Sequence, residues 1–285
     1  MASDFTGKVC LITGAASGIG RATALKMASL GATLALSDIN QPGLEETTTM
    51  CEGSPMTEVF DVGRSAACDA FVDSVMAKFG RLDFVFNCAG VNPTAYALTE
   101  TTDAYYDKLM DTNLRGTYNM TRAAMPHLQA GAAIVNTSSI MGVTVAANYA
   151  IYCATKFAIV GFTKAMAMEL GTKQVRVNAV APGYINTPTN AGVVAGPAAV
   201  AEQEKKIAMG RMGTAGEVAD VVAFLFRLRG AGYELSVELC EELREPAVRR
   251  RTGENWSSRI RLVMQRSGLL SSNTLLPVWF IERLK

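Results

Sequence analysis

Along the first 226 residues, short apolar runs alternate with longer amphipathic ones. Val9–Thr13, Thr33–Ser37, Thr57–Asp61, Phe84–Asn87, Ala133–Ser138 and Val175–Val180 read as buried strands. Between them, Gly18–Leu30, Gly43–Cys51, Arg64–Phe79, Thr102–Leu128 and Tyr149–Leu170 carry helical spacing, with Thr102–Leu128 interrupted at most once. Gly216–Phe226 reads as one more helix. Strand–helix alternation implies right-handed βαβ crossovers. The expected class is α/β: three layers, with a doubly wound parallel sheet between helices.

Composition narrows the field. The chain has 285 residues, 49% hydrophobic and 19% charged, which suits a large folded core. A net charge of +1 points to no polyelectrolyte partner, so no nucleic acid is expected. Met1 to Lys8 contains Asp4 and no apolar run, and no apolar stretch reaches the roughly 18 residues of a membrane span. The six cysteines form no CxxC pair, so reduced thiols and a cytoplasmic setting are expected. His127 is the sole histidine. It rules out a multi-histidine metal site, and its place after Pro126 near a helix end suits a Ser-His-Asp hydrolase poorly.

Candidate chemistry starts after the first strand, at Thr13-Gly14-Ala15-Ala16-Ser17-Gly18-Ile19-Gly20. Gly14 allows a sharp exit from the strand, Gly18 a close backbone approach to a pyrophosphate, and Gly20 tight packing of the following helix. The amino end of that helix offers free N–H groups to phosphate. Asp38, at the end of the second strand, is placed to accept hydrogen bonds from a ribose and to repel a 2′-phosphate. Ser17 brings no compensating cation, so NAD is expected over NADP. Within Tyr149–Leu170, Tyr152 and Lys156 lie four apart, on one helix face. A lysine ammonium and a cationic nicotinamide ring would both favour the phenolate of Tyr152 and make it a general base near neutral pH.

Taken in order, the glycine turn, Asp38, Asn87-Cys88-Ala89-Gly90, Ser138-Ser139 and Tyr152/Lys156 resemble the short-chain dehydrogenase/reductase family in its short, NAD-preferring, single-domain branch. The resemblance covers about residues 5–226 and implies a Rossmann-type fold. It implies that Thr13, Gly14, Ser17, Gly18, Ile19 and Gly20 form the cofactor fingerprint, with Asp61 and Val62 at the adenine. Asn87, Ala89 and Gly90 match the family's Asn-Asn-Ala-Gly, in which Cys88 replaces the second asparagine. Pro182, Gly183, Ile185 and Thr187 would lie beside the nicotinamide, and Lys156 would also bind its ribose. Ser139 would bind the substrate oxygen in preference to Ser138, and Tyr152 would exchange the proton. Asn113 would hold a water in the proton relay.

The implied activity is interconversion of a secondary alcohol and a ketone, with a small-molecule substrate and no metal. The alternative is a nucleotide-binding protein without turnover. A sugar-nucleotide epimerase would need a larger carboxy-terminal domain. Thr187–Gly213, rich in small residues, suits a mobile lid, with Met141, Val143, Tyr184 and Val193 as candidate pocket liners.

The pattern breaks near Arg227. The first 226 residues carry a net charge of −3, whereas residues 227–285 carry ten arginines, one lysine and seven acidic residues, a net of +4. This divides the chain into a catalytic domain, 1–226, and a divergent tail, 227–285. The family's final strand and Asp-Gly-Gly do not follow, so the last edge strand is expected to be missing or replaced. The homo-oligomer usual in the family is placed in doubt by the same change. Two origins stand open: a reading-frame change or retained intron, and a genuine appended segment. Glu234–Leu243 could form a helix, and Leu275–Ile281 is a short apolar run.

Overall fold

A computed structural model describes residues 5–92, 94–190, 196–227, 233–238 and 261–266. Six parallel strands form the sheet: β1 (Val9–Thr13), β2 (Thr33–Asp38), β3 (Met56–Val59), β4 (Leu82–Asn87), β5 (Leu128–Thr137) and β6 (Arg176–Val180). Their order is β3-β2-β1-β4-β5-β6. The order reverses between β1 and β4, and a crevice opens there at the carboxyl ends of the strands.

Alternation along the strands sends side chains to two cores. On one face Cys10, Ile12, Leu36, Phe86 and Val135 pack with α1 (Gly18–Ser29), α2 (Gln41–Met50) and α8 (Ala215–Arg227). On the other, Leu11, Ala35, Val85 and Ile134 pack with α3 (Ser65–Phe79), α5 (Gly116–Ala124) and α6 (Ala150–Gly171). Phe84 stacks on Phe226 at 4.8 Å between ring centroids, fixing α8 to the sheet. Arg176 of β6 donates to the carbonyls of Leu225 and Phe226, so the last turn of α8 has partners for its free acceptors.

Several expected boundaries move. Strands β4 and β5 begin earlier than their apolar runs, at Leu82 and Leu128. The stretch expected as one helix over Thr102–Leu128 is α4 (Asp103–Leu109), a π-helical segment Met110–Arg115, then α5 and a 3₁₀ turn Met125–His127. Between Thr187 and Gly213 lies a short helix, α7 (Pro197–Glu204). Its base is closed by β7 (Ile185–Asn186) pairing in parallel with β8 (Gly213–Thr214).

Beyond Arg227 the structure describes β9 (Tyr233–Glu238), which joins the sheet edge beside β6, and β10 (Arg261–Arg266), antiparallel to β9. A strand thus lies at that edge of the sheet, paired with β6 at Val180 and Val237. The helix expected over Glu234–Leu243 is corrected over its described residues, 234–238: Tyr-Glu-Leu-Ser-Val-Glu alternates apolar and polar residues, a strand period. Residues 239–243 lie outside the described residues. The Leu275–Ile281 run lies outside the described residues. Among the described residues, no helix is long and apolar enough to cross a membrane.

Candidate active site

The crevice is a cleft of about 710 Å³ at the carboxyl edge of the sheet, within the range of small-ligand sites. Its floor begins at the turn after β1. Gly14 has φ +69°, and a Cβ there would stand 2.8 Å from the backbone of Ala89, so this turn lies directly against the β4 loop. Thr13 stitches the same junction: its hydroxyl oxygen accepts from the amides of Cys88 and Ala89, both at 3.1 Å. Gly20, in the first turn of α1, lies against the carbonyl of Gly14, where a Cβ would come within 2.0 Å. The close packing that Gly20 allows is thus of helix on turn. At Gly18, φ +52°, Thr187 closes over from the opposite wall, and a Cβ would sit 3.3 Å from its side chain.

Asp38 ends β2 at the cleft wall. Its carboxylate accepts from the amide of Ala16 and from that of Asn40, each at 2.9 Å, tying the glycine turn to the strand end. Further along, Asp61 accepts from the amide of Gly63 at 2.8 Å. Val62 is clamped through its carbonyl, which accepts from Asn119 at 2.9 Å.

Helix α6 supplies Tyr152 and Lys156 from one face, and β5 delivers Ser139 opposite them. The Lys156 ammonium donates to the carbonyl of Thr137 at 2.9 Å. It lies 5.6 Å from the centroid of the Tyr152 ring. The backbone carbonyl of Lys156 accepts from Ser138 at 2.9 Å, so Ser138 is committed to anchoring the helix. The Ser139 oxygen accepts from the amide of Met141 at 3.2 Å, leaving its own proton to be directed elsewhere.

Burial disfavours the charged form of both groups. The Lys156 ammonium is pushed down to about 8, an effect the Cys88 thiol partly opposes. The Tyr152 phenol is pushed above its ordinary value by burial, against a lowering contribution from the Ser139 hydroxyl. Without a ligand the net shift of Tyr152 is upward, because desolvation of the phenolate outweighs the hydrogen bond with Ser139. Cys88 is raised to about 12, chiefly by burial. Its backbone makes the bond to Thr13, so the exchange of asparagine for cysteine leaves that junction intact.

Of the expected site residues, Gly14, Ser17, Gly18, Ile19, Asp38, Asp61, Val62, Ala89, Gly90, Ser139, Tyr152, Lys156, Pro182, Gly183, Ile185 and Thr187 all line this one cleft. Four stand behind it. Thr13 and Gly20 shape the turn. Asn87 donates to Thr121 of α5 at 3.0 Å and to Asn136 of β5 at 2.8 Å. Asn113, buried in the π segment, bonds both backbone groups of Val91 at 2.8 and 3.1 Å. Its own carbonyl accepts from Thr117 at 3.0 Å. A π segment displaces one residue inward, a device common at functional sites.

Met141 and Tyr184 line the cleft, Val143 does not, and Val193 lies outside the described residues. Composition gave no signal for Asn92, Asn190 and Gln203, which also face the cleft. Asn92 donates to Asn190, joining the loops after β4 and β7 across the opening. Among the described residues, no group of three or more His, Cys, Asp or Glu could hold a metal.

The glycine cradle, the helix end and the carboxylate at β2 fit a dinucleotide. Comparison with known proteins points the same way. Residues 14–232 match the model of the family described as enoyl-(acyl carrier protein) reductase. A 3-oxoacyl-(acyl-carrier-protein) reductase of Thermotoga maritima is 38% identical over 225 residues, covering 77% of this chain and 90% of the relative. Levodione reductase of Leifsonia aquatica is 37% identical over 234 residues, covering 78% and 88%. A solved short-chain dehydrogenase from Burkholderia cenocepacia in complex with NADP gives a TM-score of 0.77 at 29% identity, over 84% of this chain and 98% of that one. A 3-ketoacyl-(acyl-carrier-protein) reductase from Brucella melitensis complexed with NADH gives 0.75 at 28% identity, over 82% and 97%.

Proposed function

The chain belongs to the short-chain dehydrogenase/reductase family, and on that premise we propose that it interconverts a secondary alcohol and a ketone with Tyr152 as the proton-transfer group and NAD as the preferred cofactor. The observation that carries this reading is the convergence of Ser139, Tyr152 and Lys156 on the cleft that also contains the Gly14–Gly18 turn.

A bound nicotinamide ring supplies the hydride acceptor or donor. The chain's own groups manage the oxygen. The Tyr152 phenol oxygen takes the hydroxyl proton in oxidation and gives it back in reduction. Ser139 donates a hydrogen bond to the substrate oxygen as its charge changes. The Lys156 ammonium stabilises negative charge on Tyr152 and is itself held by the carbonyl of Thr137. Asn113, through both its bonds to Val91, fixes the loop that carries Gly90 past Lys156. Among the cofactor residues, Gly14, Ser17, Gly18 and Ile19 would hold the pyrophosphate, and Asp61 and Val62 the adenine. Ala89, Gly90, Pro182, Gly183, Ile185 and Thr187 would border the ring and its ribose. The preference for NAD rests on Asp38, whose carboxylate would oppose a 2′-phosphate.

Replacing Tyr152 by Phe tests this. Turnover of a panel of secondary alcohols with NAD should vanish while NADH affinity stays within about threefold, since the hydroxyl is the only group lost. Retained turnover in that variant would refute the assignment. A wild-type chain that binds NADH yet oxidises no alcohol would favour the alternative of a binding protein without turnover.

A further inference from the structure

We infer that the substrate is an uncharged alcohol carrying a second hydroxyl group, and that the side-chain carbonyl of Gln203 receives it; this rests on the alcohol–ketone reading above. Among the described residues, the charged side chains on the cleft wall are Asp38, Asp61, Lys108, Asp111 and Lys156. Asp61 and Asp111 both border Gly63. Lys108 precedes Asp111 by one helical turn. Asp111 pairs with Arg115 at 2.7 Å. Lys156 is committed to Thr137. Ile140, Met141 and Tyr149, the chain neighbours of Ser139 and Tyr152 on the cleft wall, are uncharged, as is Tyr184. A carboxylate or phosphate seated against these uncharged residues would lose its hydration without replacement.

Gln203 stands on the same cleft, at the carboxyl end of α7. The helix belongs to the excursion that leaves the sheet at Ile185 and returns where Gly213 pairs with it. Thr187, at the root of that excursion, faces the glycine turn, and α7 comes further along it. The Oε1 atom of Gln203 is buried and has no hydrogen-bond partner. An acceptor left in that state is unfavourable unless a ligand donor meets it. The reacting hydroxyl is already provided for by Tyr152 and Ser139. A donor supplied to Gln203 by the substrate would be a second group, and on a neutral alcohol that group is another hydroxyl.

The test compares cyclohexanol with the positional cyclohexanediols, using NAD and the full chain. Wild type should oxidise at least one diol with kcat/KM about tenfold above that for cyclohexanol, the scale of one buried hydrogen bond. Gln203→Leu should remove that advantage, leaving cyclohexanol within about twofold and NADH affinity unchanged. Gln203→Glu, which keeps an acceptor, should retain part of the preference. Equal efficiency on all the alcohols, an equal loss on all of them in Gln203→Leu, or weakened NADH binding would each overturn the inference alone. Oxidation of none of them by protein that binds NADH would overturn the proposed function beneath it.

Discussion

The Lys156 ammonium and the Tyr152 ring, 5.6 Å apart, are shifted by burial in opposite directions. Each side chain resists the charge that the proposed catalysis would ask of it. The cleft is therefore set up at some cost to the ligand-free fold, a trade common at active sites.

That cost is measurable for Lys156. Its folded value of about 8 lies below the ordinary 10.5. Between those two limits the unfolded chain binds more protons, so stability rises with pH across that window. Below pH 8 the charge is present in both states and the burial penalty is felt in full. Lys156→Met keeps the length and removes the charge. At pH 7 it should unfold later in urea than wild type, by about 2–3 kcal/mol, and the gap should narrow as pH climbs from 8 to 10.5. Activity should be lost. A variant less stable than wild type at pH 7 would mean that the bond to Thr137 outweighs the desolvation.

Tyr152 offers a spectroscopic counterpart. Without ligand its phenolate should appear only above pH 10, because burial holds the proton on. Saturating NAD places positive charge in the cleft and should move the transition down towards neutrality. The difference in phenolate absorbance between wild type and Tyr152→Phe isolates this one group. An unchanged transition with NAD bound would remove the basis for its role as a base near neutral pH.

Much of this site is legible in sequence because its parts sit at the ends of strongly periodic elements. Gly14 follows the apolar run of β1, Asp38 closes that of β2, and Tyr152 and Lys156 share one face of an uninterrupted helix. Asn113 is harder to read. The π segment shifts the helical phase locally, and the sequence of Met110–Arg115 carries no mark of it. Gln203 is silent for another reason. Its place on the wall follows from the two-residue pairing of β7 with β8, too short to leave a pattern. The sign of the Tyr152 shift depends on how tightly the cleft packs, which spacing along a helix does not encode.

Cofactor choice can be tested at Asp38. Its two oxygens bind the amides of Ala16 and Asn40, so removing the whole side chain would disturb the glycine turn as well. Asp38→Asn keeps the shape, discards the charge and retains one carbonyl acceptor where the carboxylate had two. NADH affinity should fall about tenfold, the loss expected when a charged acceptor becomes neutral. NADPH should lose less or gain, since the repulsion of its 2′-phosphate disappears. Fluorescence titration with the two reduced cofactors measures both. If wild type already favours NADPH, Asp38 does not select against the phosphate.

The base of the α7 excursion is held by a second charge arrangement, on the amino end of α8. Thr214 accepts from the amide of Glu217 at 3.2 Å, and Glu217 accepts from the amide of Thr214 at 2.7 Å, a reciprocal cap. Arg211 donates to the two carboxylate oxygens at 3.1 and 2.6 Å. Arg211 first, and the Thr214 amide after it, hold the Glu217 carboxyl at about 2, well below the ordinary 4.5. A depressed folded value stabilises the protein above pH 4.5, and that contribution is lost as pH falls towards 2. The side chain is 45% exposed, so solvent screening reduces the effect to about 1 kcal/mol. Glu217→Gln keeps an acceptor for Thr214 but gives up the charge facing Arg211. Urea unfolding at pH 7 should show the variant weaker by that amount, and the difference should close near pH 2. Since β8 begins at Gly213 and pairs with Ile185, the same variant should raise KM for the alcohol more than it lowers kcat. A difference that persists undiminished at pH 2 would trace the loss to packing at the cap, with no contribution from the ion pair.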